Sequence, residues 1–201
     1  MDRNLERKDW LRTARLALLR GGVEAVRVER LARDLGVTKG SFYWHFRDRD
    51  ELLELLLSEW ESEVPEMLSQ VGGRSGRDKI QRVMLLLEQR TKLSEQGKAP
   101  SDAAIFAWAS VDRDVARRVN EAEEERIQLL KRFVGGSGRV ELLYLVWLGF
   151  VARGQRLPES RKRFPEIAHF LIESLSEPKA KLRMRRRSRE PRNPPAKRVQ
   201  G

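Results

Sequence analysis

The sequence predicts an all-α protein of about nine helices, a three-helix unit at the N-terminus followed by a larger helical domain. Two observations carry this. Apolar residues recur at i, i+3, i+4 spacing along most of the chain, and no stretch alternates apolar and polar residues for long. At 201 residues and 40% hydrophobic content, the chain is also long and apolar enough to bury a sizeable core.

The elements follow in order. Leu5, Leu11, Ala14, Ala17 and Leu18 form one stripe, ended by Gly21-Gly22, because glycine takes the helix-stopping conformation without steric cost. A short second helix spans 28–35, apolar at Val28, Leu31, Ala32 and Leu35. Gly36 and Val37 lead to a third, from about Lys39 to Phe46. Asp48 or Asp50 is placed to cap a longer helix bearing Leu52, Leu53, Leu55, Leu56 and Trp60. Pro65 is expected to kink or end that helix near Glu63. Residues 71–79, VGGRSGRDK, read as a loop opening a helix over 80–94. Their glycines miss the spacing of a phosphate-binding loop, and no strand precedes them. Further helices are predicted over 101–110, 112–134, 137–154 and 159–176, divided by Asp112, by GGSG at 135–138 and by Leu157-Pro158. No internal repeat is visible.

Charge divides the chain differently from hydrophobicity. Its 41 Lys+Arg against 30 Asp+Glu give +11, which points to a polyanionic partner such as nucleic acid or an acidic membrane surface. Residues 1–49 carry 12 basic and 7 acidic side chains, residues 50–177 carry 19 and 22, and residues 178–201 carry 10 and 1. The last segment is proline-rich with almost no large apolar residue, so a disordered basic tail is expected there. The division predicts three parts: 1–49, 50–177 and the tail.

Composition also excludes chemistry. There is no cysteine, which removes disulfides, thiolate metal sites and cysteine nucleophiles. Two histidines, His45 and His169, leave little material for a metal centre or a catalytic triad, so neither metal nor cofactor is expected. The longest uncharged apolar run, Leu142 to Ala152, is eleven residues, whereas a membrane span needs about 20. The opening MDRNLERKDW lacks the apolar stretch of a signal peptide, and a cytoplasmic location without membrane attachment is the expectation.

The informative segment is VERLARDLGVTKGSFYWHFR, residues 28–47. A helix-turn-helix needs a small residue where its helices meet, a residue tolerant of positive φ at the turn, and apolar residues locking the pair. Ala32, Gly36, and the set Leu31, Val37 and Phe42 meet those needs. Together with Gly22, Glu24 and Ala25, and with Val37 to Phe46 followed by Glu51-Leu52, this segment resembles the tetracycline-repressor (TetR) family of bacterial transcriptional regulators. The resemblance covers roughly the first 60 residues; beyond them only helix number and length agree.

The resemblance implies a DNA-reading surface. Thr38 would cap the recognition helix with its hydroxyl towards a phosphate or base edge. Lys39 is a long donor for guanine or phosphate, and Gly40 would let the helix approach the groove. Tyr43 and Trp44 are similar to the family's groove-facing aromatics, and His45 is placed to donate to a phosphate. Arg47, Arg49 and the N-terminal Arg3, Arg7 and Lys8 are candidates for backbone contacts. Arg27 departs from the pattern, since the family has Thr or Ser there; its guanidinium is able to hold a phosphate but not to cap the second helix. Phe42 and Phe46 read as core.

For the larger domain the resemblance implies a homodimer reading a palindromic double-stranded DNA operator, with repression relieved by a small-molecule effector. The helix of Val140 to Val151, apolar nearly all round, and the next helix with Ile167, Phe170 and Leu171 resemble the family's dimerising pair. Leu143, Trp147, Phe150, Phe170, Leu171 and Ser174 are the interface candidates, an internal core being the competing reading. Met84, Leu87, Phe106, Trp108, Tyr144 and Trp147 are the candidates for an effector pocket. Glu121, Glu123, Glu124 and Glu125 read as a solvated acidic face or as capping charge. The helix over 50–64 would link pocket to recognition helix. Two other functions compete: a sequence-indifferent nucleic-acid binder driven by the tail, and a helical enzyme, for which the histidines lack a titratable partner.

Overall fold

The computed structural model describes residues 5–69, 76–134 and 137–175; the predicted basic tail and Arg3 lie outside them. Within them the chain is helical, with nine α-helices and two 3-10 turns and no strand. Helix α1 (Arg7–Gly21) stops where expected, at Gly22, whose φ of +68° closes an N–H bond onto the Leu18 carbonyl (2.9 Å). A 3-10 turn (Val23–Ala25) leads to α2 (Val28–Leu35). Gly36 ends α2 at φ +73°: its N–H reaches the Arg33 carbonyl (3.1 Å) and that of Val37 the Ala32 carbonyl (3.0 Å). This paired closure requires a left-handed residue.

Helix α3 (Lys39–Tyr43) is shorter than the sequence predicts, ending before Trp44. Helix α4 (Arg49–Ser69) is opened by Asp48, whose Oδ1 accepts from the Glu51 N–H (2.8 Å), while Glu51 Oε2 accepts from the Arg47 N–H (2.7 Å). The helix does not end near Glu63: α4 runs through Pro65 to Ser69. Burial of Val64 and Leu68 against Val83 holds the last two turns in place despite the hydrogen bond that proline omits.

The larger domain adds α5 (Gly76–Glu95), α6 (Asp102–Ala109), α7 (Arg113–Val134), α8 (Ser137–Arg156), a second 3-10 turn (Pro158–Arg163) and α9 (Phe164–Leu175). Asp112, which the sequence marks as the divider between two helices, caps α7, its Oδ1 accepting from the Asp114 and Val115 N–H groups (3.0 and 3.2 Å). Among the described residues, no helix is long and apolar enough to cross a membrane.

The core of the N-terminal unit does not close on itself. Trp10, Leu31, Phe42 and Phe46 pack together, with Trp10 edge-on to Phe42 (5.3 Å between centroids) and Phe42 stacked on Phe46 (5.1 Å). The same cluster continues through Leu52, Leu56 and Trp60 of α4 into Ile105 and Trp108 of α6 and Val115 and Val119 of α7. Helix α4 therefore belongs to both units.

Candidate nucleic-acid interface and internal cavity

With Phe42 turned inward, the rest of the third helix faces solvent. Trp44 is 88% exposed and stands free of the core, while Tyr43, edge-on to Phe42 (5.4 Å), keeps 53% of its surface exposed. Lys39 and Gly40 are exposed beside them. A Cβ on Gly40 would meet nothing closer than Thr38 Oγ1 at 3.7 Å, so the chain's own packing does not require glycine there. Lys39 Nζ is ion-paired with Glu29 of α2. The hydrogen bond to Lys39, more than its charge, lowers the Glu29 carboxyl pKa, and the same bond raises that of the ammonium.

Three expected roles change in the structure. Thr38 occupies the N-cap position with extended backbone, but its hydroxyl makes no capping bond; the turn closes instead through its carbonyl, which accepts from the Ser41 N–H (3.1 Å). Arg49 is committed to the fold: its Nε and Nη2 donate to the carbonyls of Val26 (2.6 Å) and Val23 (2.8 Å), the latter also accepting from the Val26 N–H that closes the 3-10 turn (3.1 Å). Arg7 likewise donates to Glu51 Oε1 (2.8 Å) and lies over the Phe46 ring. Arg27 supplies no cap to α2, as its chemistry predicts, and its Nε donates to the Glu24 carbonyl (2.9 Å) while the side chain stays exposed. His45 is half-buried against Phe46, and Arg47 pairs with Asp48 (2.8 Å).

In the larger domain, α4, α5, α7 and α8 enclose a small cavity of about 50 Å³. Of the six pocket candidates, Met84, Leu87, Tyr144 and Trp147 line it. Phe106 and Trp108 do not: α6 turns them towards the first core, where Phe106 meets Trp60 edge-on (6.0 Å). The wall is otherwise aliphatic, from residues such as Ile80, Val83, Leu130 and Leu143, except for Arg90, Asp102 and Arg126.

Those three charges are buried, and the sequence reading missed them. Asp102 Oδ1 accepts from the Trp60 indole (2.7 Å) and Arg90 Nη2 (3.0 Å); Oδ2 accepts from Arg90 Nη1 (2.6 Å) and the Trp147 indole (3.1 Å). Arg90 Nε donates to Glu63 Oε2 (2.6 Å). Arg126 stacks on the Trp60 ring (3.7 Å) and its Nη2 donates to the Trp60 carbonyl. Burial opposes the Asp102 charge, but the guanidinium of Arg90, then that of Arg126, holds its carboxyl below the usual range. Burial dominates for Glu63 and raises its carboxyl. A signal for this cluster existed: Arg90 continues the apolar register of Val83 and Leu87, and Arg126 that of Val119 and Ala122. Glu123 also departs from the solvated face expected of its acidic run, accepting from the Tyr144 hydroxyl (2.9 Å).

The outer face of the last two helices is apolar but differs from the predicted interface. Leu143 and Trp147 line the cavity instead, Phe150 packs on Phe164 (4.6 Å), and Leu171 is buried. Their place outside is taken by Leu142 (47% exposed) and Leu145 (64%), joining the predicted Phe170 (69%). The Ser174 side chain lies outside the described ones.

Residues 11–56 match the family model of bacterial regulatory proteins, tetR family. The chain is 27% identical over 128 residues to the HTH-type transcriptional repressor KstR of Rhodococcus jostii (strain RHA1), a match spanning 63% of this chain and 59% of that protein. Its fold resembles a crystal structure from Rhodococcus sp. assigned to the TetR-family transcriptional regulators, with TM-score 0.60 and 19% identity over 84% of this chain and 100% of that one. Salmonella enterica GusR is similar in fold, with TM-score 0.56 and 16% identity over 83% and 95% of the two chains.

Proposed function

We propose that this chain is a tetR-family transcriptional regulator that binds a palindromic operator as a homodimer and represses until a small-molecule effector releases it. The observation that carries the reading is the exposure of Lys39 and Tyr43, on a helix whose Phe42 is fully buried, and of Trp44 just past its end. A rigid inner anchor and a free outer face are what groove recognition asks of such a helix. Thr38, exposed and without a capping bond, adds a hydroxyl for a phosphate or base edge.

One recognition helix is a small footprint, so a two-fold pair supplies the affinity. The exposed Leu142, Leu145 and Phe170 support a face between copies on α8 and α9. Effector binding in the cavity has a direct route to the reading head, because Val64 and the Trp60 backbone belong to α4, which begins beside α3. The effector must favour the non-binding geometry to shift anything.

Operator selection from random DNA, followed by binding at fixed salt, tests the reading. Lys39→Ala and Tyr43→Ala are each expected to weaken binding roughly 5- to 100-fold, the cost of one good base contact. Unchanged affinity in both would refute the assigned surface. A chain lacking residues 178–201 should keep its operator preference, whereas a sequence-indifferent binder would lose nearly all affinity with its tail.

A further inference from the structure

We propose that the cavity takes an aliphatic monocarboxylate, with its chain among the apolar wall residues and its carboxylate on Arg126. The proposal rests on the cavity being the effector site, and it follows from comparing the two buried arginines that border it.

Arg90 and Arg126 are 6% and 3% exposed. Arg90 is fully engaged: Nε meets Glu63 and both terminal nitrogens meet Asp102. Arg126 has one hydrogen bond, to the neutral Trp60 carbonyl. Its Nη1 stands 3.6 Å from an Asp102 oxygen that already accepts from Trp60 and Arg90, and its Nε is buried with no partner. Burial accordingly pushes the Arg126 pKa down, with Asp102 restoring only part, whereas the carboxylates of Asp102 and Glu63 overcome burial and raise that of Arg90. An unpaired buried donor on a charged group is costly to leave unmade, and native interiors rarely do so.

The rest of the wall defines the ligand. Ile80, Met84, Leu87, Leu130 and Leu143 offer only apolar contact, and the Tyr144 hydroxyl is committed to Glu123. A molecule complementary to this lining has a hydrocarbon body and one anionic end, and because the free cavity is only about 50 Å³ its chain enters as the apolar wall side chains part. Asp102 and Glu63 lie close to the arginines, so a second negative charge would meet repulsion; a monoanion fits where a dianion does not. Arg126 is already desolvated in the folded chain, so only the ligand's own hydration is given up on binding. A carboxylate that draws Arg126 towards it also acts on Trp60, whose carbonyl and ring that guanidinium holds.

Isothermal titration calorimetry on the full chain at neutral pH, with hexanoate, octanoate and decanoate against decan-1-ol, tests this without any variant. Decanoate should bind about tenfold or more tightly than decan-1-ol, the worth of a charged hydrogen bond. Equal affinities, or no binding of any carboxylate, would overturn the proposal. Arg126→Met, with its fold checked by circular dichroism, should lose the preference while still binding the alcohol; a retained preference would remove Arg126 as the anchor. None of these measurements involves DNA. Failure here therefore leaves the operator-binding surface to its own test, and failure there leaves this one standing.

Discussion

The N-terminal three-helix unit and the interior of the larger domain handle charge in opposite ways. Around α1–α3 the centre is aromatic and aliphatic, and charged groups such as Lys39, Glu29 and Arg47 pair at the surface. Beneath α4–α8, Asp102 sits at the centre, joined to Trp60, Arg90 and Trp147 and flanked by Arg126. The difference separates two tasks. Surface charge remains available to an outside partner and contributes little to stability, whereas buried charge fixes which helices meet and how. A single carboxylate thereby connects four other helices, including α4, which shares its core with Phe42 of α3.

The largest effect that would break this contrast is Asp102→Ala. It leaves Arg126 buried with no carboxylate beside it and Arg90 with Glu63 alone, and a loss of about 3–5 kcal/mol is expected in urea unfolding followed by circular dichroism. A loss below about 1 kcal/mol would mean that water or neighbours already compensate the arginines. The pH dependence follows in sign. The folded-state pKa of Asp102 lies below its unfolded value, so its contribution is complete above about pH 4 and is lost as pH falls through the folded value of about 2. The gap between wild type and Asp102→Asn should therefore narrow as pH drops from about 5 towards 2.

How much of this was legible in the sequence follows the same divide. The first unit was, because each of its signals is local: the glycines at 22 and 36 have the positive φ their positions predicted, and Phe42 and Phe46 are buried at helical spacing. Leu143 and Trp147 were harder. A helix apolar on nearly every side does not say which face turns inward, and the indole bond to Asp102 that decides it comes from 45 residues away. Phe106 and Trp108 were misplaced for the same reason, α6 lying between the two cores. Arg49 looked like a phosphate contact because sequence displays a cation but not the two carbonyls it brackets. Arg90 and Arg126 interrupt apolar registers, a signal that only becomes meaningful when Asp102 is seen between them.

A middle-sized effect tests whether local signals do determine the first unit. Gly36→Ala places a side chain in the left-handed conformation that closes α2, at φ +73° and with open space around the new Cβ, so strain alone is added. Thermal unfolding should show a loss of about 1–2 kcal/mol. No loss would mean that the turn relaxes and that the glycine is not what sets the angle between α2 and α3.

The smallest effect on stability, and the sharpest on the proposed function, is expected for Glu29→Ala. The Lys39–Glu29 pair joins two side chains that are half exposed or more, so its removal should leave the unfolding midpoint unchanged within error. DNA binding should respond differently. In the free protein Glu29 holds Lys39, and on approach to a duplex its carboxylate both competes for the ammonium and repels phosphate. Removing it should tighten operator binding several-fold at low salt, and the gain should shrink as ionic strength rises, because the effect is electrostatic. The same gain at high salt would point to a changed shape of α2 instead. Weakened binding would mean that Glu29 positions Lys39 for its contact, making the exposed pair part of the reading head and ending the division between charge that builds the fold and charge that meets a partner.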